Sequence, residues 1–66
     1  MTGIIKELAH DYRSGLIIED NTNRIFQIKF DSIPRRCAWR IRLGSRVHFD
    51  PQIRLSGLVA YEVEAI

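Results

Sequence analysis

Three observations predict an all-β domain that closes into a small antiparallel barrel. Short runs rich in β-branched and aromatic residues recur along the chain and are separated by turns containing Gly, Pro, Asn or Asp. No long segment keeps a helical period. The chain has 66 residues, which is enough for one small core only. Short strands joined by tight turns in so short a chain favour a barrel, and we expect one domain over residues 1–66.

A hairpin signal between Tyr12 and Phe30 is the strongest local pattern. Its second strand, expected over residues 24–30, alternates between two faces as a strand with one buried side does. One face carries Phe26, Ile28 and Phe30, and the other carries Gln27 and Lys29. The polar residues 19–24 before this strand are expected to form the turn of the hairpin.

Apolar side chains are also expected on the outside of the first two strands, over residues 3–10 and 14–19. The expected outward positions include Lys6, Leu8, Leu16 and Ile18. Glu7 would then share the inward face of Ile5 unless a bulge turns it outward. An outward apolar strip of Leu8, Leu16 and Ile18 on a small domain indicates a protein partner.

The second half of the chain is expected to hold two further strands, over residues 45–50 and 57–66. Asp31 and Ser32 are expected to start a short helical turn. Pro34 ends strand pairing, and Asp50-Pro51 breaks the fourth strand, so that residues 52–56 form a loop. In the last strand, Val59, Tyr61 and Val63 are expected on one face. The predicted core consists of Ile5, Ile17, Phe26, Ile28, Ile33, Val47, Phe49 and Val63.

Residues 35–46 form a basic segment that contains the only tryptophan. Five of the ten cations of the chain fall here, and all five are arginines. Arginine binds phosphate and tryptophan stacks on bases, so this composition is typical of a loop that binds single-stranded nucleic acid. The alternative is that Trp39 packs down as a lid on the core while the arginines remain solvated.

Composition narrows the possible function classes. The net charge is +2, and eight of the ten cations are arginines, which favours contacts with phosphate. The single cysteine, Cys37, excludes an intrachain disulfide and fits a reducing, cytoplasmic location. No apolar run is long enough to span a membrane. The sequence contains no phosphate-binding loop, nucleophile–base pair or metal-ligand spacing, so neither an enzyme nor a cofactor is expected, and His10 and His48 are interpreted as surface residues.

The spacing of several short motifs resembles that of the bacterial cold shock proteins. These motifs are Gly3-Ile4-Ile5-Lys6, Ser14-Gly15-Leu16-Ile17, residues 26–33, residues 41–49 and residues 57–63. The resemblance covers essentially the whole chain. It implies a five-stranded OB-fold barrel that binds single-stranded RNA or DNA.

The binding face of that family is preserved only in part. Cold shock proteins stack bases on aromatic residues, but this chain has Glu7, Ser14, Leu16, Gln27, Lys29 and Ala38 at matching positions. Lys6 and Phe30 keep the family character. Since stacking is worth about 1–3 kcal/mol per base, the familiar binding mode is expected to be weakened.

Two function classes follow for this chain. The first is a single-stranded nucleic-acid-binding protein with a rearranged footprint. Its candidate binding residues are Lys6, Tyr12, Arg13, Lys29, Phe30, Arg35, Arg36, Trp39, Arg40 and Arg42. The second is a protein-interaction or self-associating barrel that uses Leu8, Leu16 and Ile18. Neither class requires a metal or a cofactor.

Overall fold

The computed structural model describes all 66 residues as a closed five-stranded barrel with one 3-10 helix. The strands are β1 (Thr2–Leu8), β2 (Gly15–Glu19), β3 (Ile25–Ile28), β4 (Arg46–Arg54) and β5 (Gly57–Ala65), and the helix spans Arg35–Arg40. Around the barrel the order is β1-β2-β3-β5-β4. This closed ring of strands confirms the predicted all-β barrel. The structure contains no helix with the length and apolar character of a membrane span.

The expectation that the barrel is antiparallel throughout is wrong for one pair of strands. β3 pairs with β5 in parallel, with Gln27 opposite Val59 and Ile28 opposite Ala60. The other four pairings are antiparallel. A closed ring with an odd number of strands cannot alternate direction all the way round, so one parallel contact is unavoidable. It falls between β3 and β5, which are neighbours in the barrel but are not consecutive along the chain.

All eight residues of the predicted core lie in the barrel interior. Ile5, Ile17, Phe26, Ile28, Ile33, Val47, Phe49 and Val63 are all buried in one cluster. Within it, the rings of Phe26 and Phe49 pack with centroids 5.1 Å apart and planes tilted by 56°. Ile41 and Ala60 also belong to this cluster, and neither was predicted. Ile41 was missed because it follows the 3-10 helix and belongs to no strand pattern.

A bulge in β1 decides which way its last residues face. The register with β2 shifts between Ile5 and Glu7, which leaves Glu7 exposed and packs Leu8 against the core cluster. Leu8 was expected on the outer face, and the bulge reverses that expectation. Gly15 permits this close approach, because a Cβ there would lie 2.3 Å from the Glu7 carbonyl oxygen.

The fourth strand does not end at Pro51 as expected, but continues to Arg54. Pro51 lies opposite Ala60 of β5. β1 pairs with β4 only as far as His48, so no strand lies along that edge of β4 at Pro51. Because proline lacks an N–H donor, it is tolerated at such a free edge. Residues 52–54 are consequently strand, and only the turn at 55–56 remains of the expected loop.

The last strand also departs from its expected alternation. Glu62 has a φ of 51°, and the register with β4 shifts between His48 and Asp50. This irregularity leaves Tyr61 half-buried, while Ala60 and Val63 point into the core. Val59, Tyr61 and Val63 were expected on one face, but Val59 and Val63 are buried whereas Tyr61 is only half-buried.

β3 is shorter than expected because the backbone N–H of the next residue, Lys29, donates to a buried serine instead of to a neighbouring strand. The Lys29 N–H donates to Ser32 Oγ at 2.7 Å, and the Ser32 carbonyl accepts from the Val63 N–H at 3.0 Å. The chain therefore leaves the sheet after Ile28, and Phe30 is exposed instead of continuing the strand's inward face. The helix begins after Pro34, not at residues 31–32 as expected.

Two acidic residues fix the turn between β2 and β3, which lies where the sequence predicted it. Buried Glu19 accepts hydrogen bonds from the Thr22 hydroxyl and from the Asn21 N–H, which together hold the pKa of its carboxyl below the usual range. Asp20 accepts from the Thr2 hydroxyl at 2.7 Å and from Arg46 at 2.6 Å. The Thr2 hydrogen bond, followed by Arg46, lowers the pKa of Asp20. The turn is thereby tied to the first residues of β1 and β4.

Candidate nucleic-acid interface

An open groove lies between three segments: the turn after β1, the residues just past β3, and the start of the 3-10 helix. Its wall on one side is the β1–β2 turn, residues 10–13, and on the other the helix start, residues 33–35 with 38–39. Phe30 and Asp31, just past β3, complete it. The groove brings together five of the ten predicted binding residues: Tyr12, Arg13, Phe30, Arg35 and Trp39.

Aromatic rings along this groove are open to solvent. Trp39 is 72% exposed and Phe30 is 63% exposed, while Tyr12 is half-buried against the core. The interpretation of Trp39 as a lid on the core is therefore wrong. The helix turns Cys37 and Ala38 toward the core, which leaves the neighbouring Trp39 on the solvent side. Exposed rings of this size on a small domain are typical of a binding surface.

Two arginines stack on the exposed rings. The guanidinium carbon of Arg13 lies 4.8 Å from the centre of the Phe30 ring, and that of Arg40 lies 5.7 Å from the centre of the Trp39 ring. Both distances fall within the range of a cation–π contact. Arg13 is also held by Asp11, whose carboxylate accepts from the Arg13 N–H at 3.0 Å and lies 3.9 Å from the guanidinium. The Arg13 side chain is thus positioned over one face of Phe30.

The groove itself carries no excess of positive charge. Two arginines, Arg13 and Arg35, and two aspartates, Asp11 and Asp31, line it. Aromatic walls with balanced charge suit a flat, neutral group that carries hydrogen-bond donors and acceptors. Such a groove suits a base better than a phosphate.

Three further cations without an acidic partner lie beside the groove. Arg36, Arg40 and Arg42 are exposed on or just after the helix, and none of them forms an ion pair. Arg46, in contrast, is bound to Asp20. The helix segment therefore supplies free positive charge beside the aromatic groove.

Two more of the predicted binding residues, Lys6 and Lys29, lie apart from both the groove and the helix. Lys6 lines a shallow depression on the other side of the β1–β2 turn, together with Leu8 and Leu16. Lys29 is half-buried at the end of β3 and does not line the groove either. The footprint that the sequence predicted is thus divided between the groove, the helix surface and this depression.

The outer face of β1–β3 carries an apolar row. Ile18 lies opposite Ile4 on β1 and opposite Ile25 on β3. Ile4 is 41% exposed and Ile25 is 48% exposed. The predicted strip of Leu8, Leu16 and Ile18 is therefore divided: Ile18 belongs to this row, which we call the isoleucine row. Leu8 and Leu16 line the depression with Leu43.

Sequence reasoning missed several residues of the groove, Asp11 and Asp31 above all. Their signal was present, since both are polar residues in turns directly beside the predicted aromatic positions Tyr12 and Phe30. The sequence indicates a turn at each position but not that the two turns meet. The missed members of the isoleucine row, Ile4 and Ile25, follow from strand pairing alone.

Comparison with protein-family models gives no match, and comparison with curated proteins gives none. What this chain does must therefore be argued from its own geometry and chemistry.

Proposed function

We propose that this protein binds single-stranded nucleic acid, RNA or DNA, as a divergent OB-fold barrel of the cold shock type. The observation that carries the proposal is the groove that joins Tyr12, Phe30 and Trp39 to Arg13 and Arg35. Tyr12 and Arg13 are distant in sequence from the other three residues, and the fold gathers all five on one open surface. Stacking platforms combined with cations are the components of single-strand binding.

In the proposed mode, bases occupy the groove and phosphates follow the helix surface. Unpaired bases stack on the exposed faces of Trp39 and Phe30, which is sequence-tolerant because every base has a π face. The sugar–phosphate chain then passes Arg36, Arg40 and Arg42, which have no acidic partner to compete with phosphate. Release of counterions from the phosphates supplies much of the affinity and makes it dependent on salt.

The proposed footprint differs from the face that cold shock proteins use. At the matching positions on β1–β3, Glu7 and Ser14 offer no stacking surface. Gln27 offers no stacking surface either, and its side-chain amide donates to the Ser56 carbonyl at 2.7 Å, which holds the β4–β5 turn. The aromatic groove beside the helix therefore carries the binding in this proposal. A protein of this kind with one free cysteine fits a cytoplasmic location.

A titration followed by amide chemical shifts tests the proposal. Short oligothymidine and oligouridine are added at low ionic strength, and the expected perturbations are at residues 10–13, 30–31 and 35–40. Repeating the titration at increasing salt is expected to weaken binding steeply. If neither oligonucleotide perturbs these residues at low salt, the protein does not bind single strands through this groove.

A second candidate function is association with a protein partner or with a second copy of the chain. The isoleucine row favours it, because Ile4, Ile18 and Ile25 form a continuous apolar surface across three strands. Leu8 and Leu16, with Leu43, extend the apolar surface along the depression. Sedimentation of the wild type and of an Ile4→Lys, Ile25→Lys double variant over a range of concentrations tests self-association. A monomer that is unaffected by the substitutions contradicts it.

A further inference from the structure

Asp31 is a carboxylate in the wall of the aromatic groove that the protein itself leaves without a partner. It is exposed, it lies between Phe30 and the buried Ser32, and no side-chain hydrogen bond or ion pair engages it. Asp11, the other carboxylate of the groove, is already bound to Arg13. Asp31 is therefore the free acceptor in a groove suited to bases.

A negative charge at this place opposes phosphate, so it favours binding only where it accepts hydrogen bonds from a base. The four bases differ in the donors on the edge that is free in a single strand. Guanine offers two adjacent donors there, the N1–H and the N2 amino group, which match the two oxygens of a carboxylate. Cytosine and adenine offer an amino group next to an acceptor nitrogen, and thymine or uracil offers one N–H between two carbonyls. A carboxylate therefore fits guanine best.

Arg35, in the helix-side wall of the groove, adds to this complementarity. Arginine donates to the O6 and N7 acceptors of guanine, a pairing that no other base matches. Arg35 lines the groove close to Asp31 in the chain and forms no ion pair. The groove thus offers both an acceptor and a donor to one stacked base.

We propose that Asp31 makes the groove selective for guanine over thymine or uracil in a single strand. This inference rests on the proposed function, since it concerns which base the same groove takes. Stacking on Phe30 and Trp39 supplies affinity for any base, and Asp31 supplies the discrimination. A good bidentate contact discriminates between bases by about 1–3 kcal/mol. In an open groove we expect the lower end of this range, which corresponds to about a five- to tenfold difference in Kd.

The test compares three labelled oligonucleotides by fluorescence anisotropy at low ionic strength. The first is a short oligothymidine, the second carries one central guanine, and the third carries inosine at that place, which lacks only the N2 amino group. The guanine oligonucleotide is expected to bind about five- to tenfold more tightly than oligothymidine, and inosine is expected to lose most of that gain. A single guanine avoids the self-association of guanine-rich strands.

Two variants show whether Asp31 is responsible. Asp31→Asn replaces one acceptor oxygen by a donor, so the preference for guanine is expected to disappear while binding of oligothymidine is retained or rises. Asp50→Asn makes the same change of charge on exposed Asp50 of β4, outside the groove, and is expected to keep the preference. Thermal melting checks that both variants are folded.

The possible failures are distinguishable. Equal affinity of the wild type for all three oligonucleotides overturns the selectivity and leaves single-strand binding intact. A preference that survives in Asp31→Asn also overturns the role of Asp31. If the wild type binds none of the three, both the proposed function and this inference are wrong.

Discussion

The guanidinium of Arg13 covers one face of the Phe30 ring, with its central carbon 4.8 Å from the ring centre. The two residues belong to different turns of the barrel, and Asp11 holds the arginine in place at 3.9 Å. A base that stacks on Phe30 therefore has the opposite face of the ring available. In the proposed binding mode, the cation and the ring therefore act together as one element.

This pairing predicts that substitutions of Arg13 and Phe30 are not additive. Phe30→Ala is expected to lose about 1–3 kcal/mol of single-strand affinity, as removal of a stacking platform does. Arg13→Ala is expected to lose less, and the double variant less than the sum, by about 0.5–1 kcal/mol. Isothermal titration of the four proteins with one oligonucleotide measures the cycle. Strict additivity would show that the two side chains act independently.

Trp39 is predicted to contribute to binding and not to folding. Because its side chain is 72% exposed, Trp39→Ala is expected to melt close to the wild type. The same substitution is expected to lose about 1–3 kcal/mol of single-strand affinity, since it removes the largest stacking surface of the groove. Trp39→Phe serves as the control and should keep most of the affinity. Unfolding of Trp39→Ala would show that the ring supports the core after all.

Arg42 and Arg46 provide a matched pair for the contribution of free charge. Arg42 has no acidic partner, whereas Arg46 lies 2.6 Å from Asp20. Arg42→Gln is expected to weaken binding modestly and to flatten the plot of log Kd against log salt by about 0.7, as loss of one contact to a single-strand phosphate does. Arg46→Gln should leave the slope nearly unchanged, because its charge is already neutralised. Equal changes of slope in the two variants would contradict the assignment of phosphate contacts to the helix surface.

Ile28 tests the assignment of the core. It is buried at the parallel contact of β3 with β5, opposite Ala60. Ile28→Ala is expected to lower the free energy of unfolding by about 2–4 kcal/mol through lost burial and a cavity. For so small a domain this is a large share of a total stability of about 5 kcal/mol. Ile53→Ala is the control, since Ile53 is 85% exposed. Urea unfolding measures both variants, and an equal loss of unfolding free energy in the two would refute the assignment.

The sequence was sufficient for the strands and the core because a period of two is a local property. Ile28 and Val47 were placed correctly from alternation, and no knowledge of their neighbours was needed. The errors came where a distant contact changes a local rule. Pro51 stays in a strand because β1 begins at Thr2 and pairs with β4 only as far as His48. Leu8 is half-buried against the core because of a bulge against β2.

The candidate site was predictable in its residue types but not in its extent. Trp39 and Phe30 stood out as aromatic residues near cations, and the fold brings them to one groove. Asp31 could not be identified, because its importance depends on having no partner, which only the folded chain reveals. Glu19 differs, because alternation places it on the inward face of β2 with Ile17, but its hydrogen bonds to Thr22 and Asn21 appear only in the folded turn.

Glu19 is predicted to make the stability of the barrel depend on acidity. Its carboxylate accepts from the Thr22 hydroxyl at 2.5 Å and from the Asn21 N–H at 2.8 Å, and these bonds lower its pKa in the folded state. A carboxyl whose pKa is lower in the folded than in the unfolded chain stabilises the fold fully above the unfolded value of about 4.3. This contribution is lost as the pH falls from there through the lowered folded pKa. Thermal melts of the wild type are therefore expected to be flat near neutral pH and to fall in that acidic window.

Glu19→Gln separates this effect from general acid unfolding. The variant keeps the size of the side chain but loses the charge, so it is expected to melt below the wild type at neutral pH and to approach it on acidification. Some acid dependence is expected to remain, because Asp20 also has a lowered pKa through Thr2 and Arg46. Glu62→Gln, on an exposed part of β5, is the control and should melt close to the wild type at neutral pH. Parallel profiles of the wild type and Glu19→Gln throughout the acidic range would show that the β2–β3 turn does not depend on an ionised Glu19.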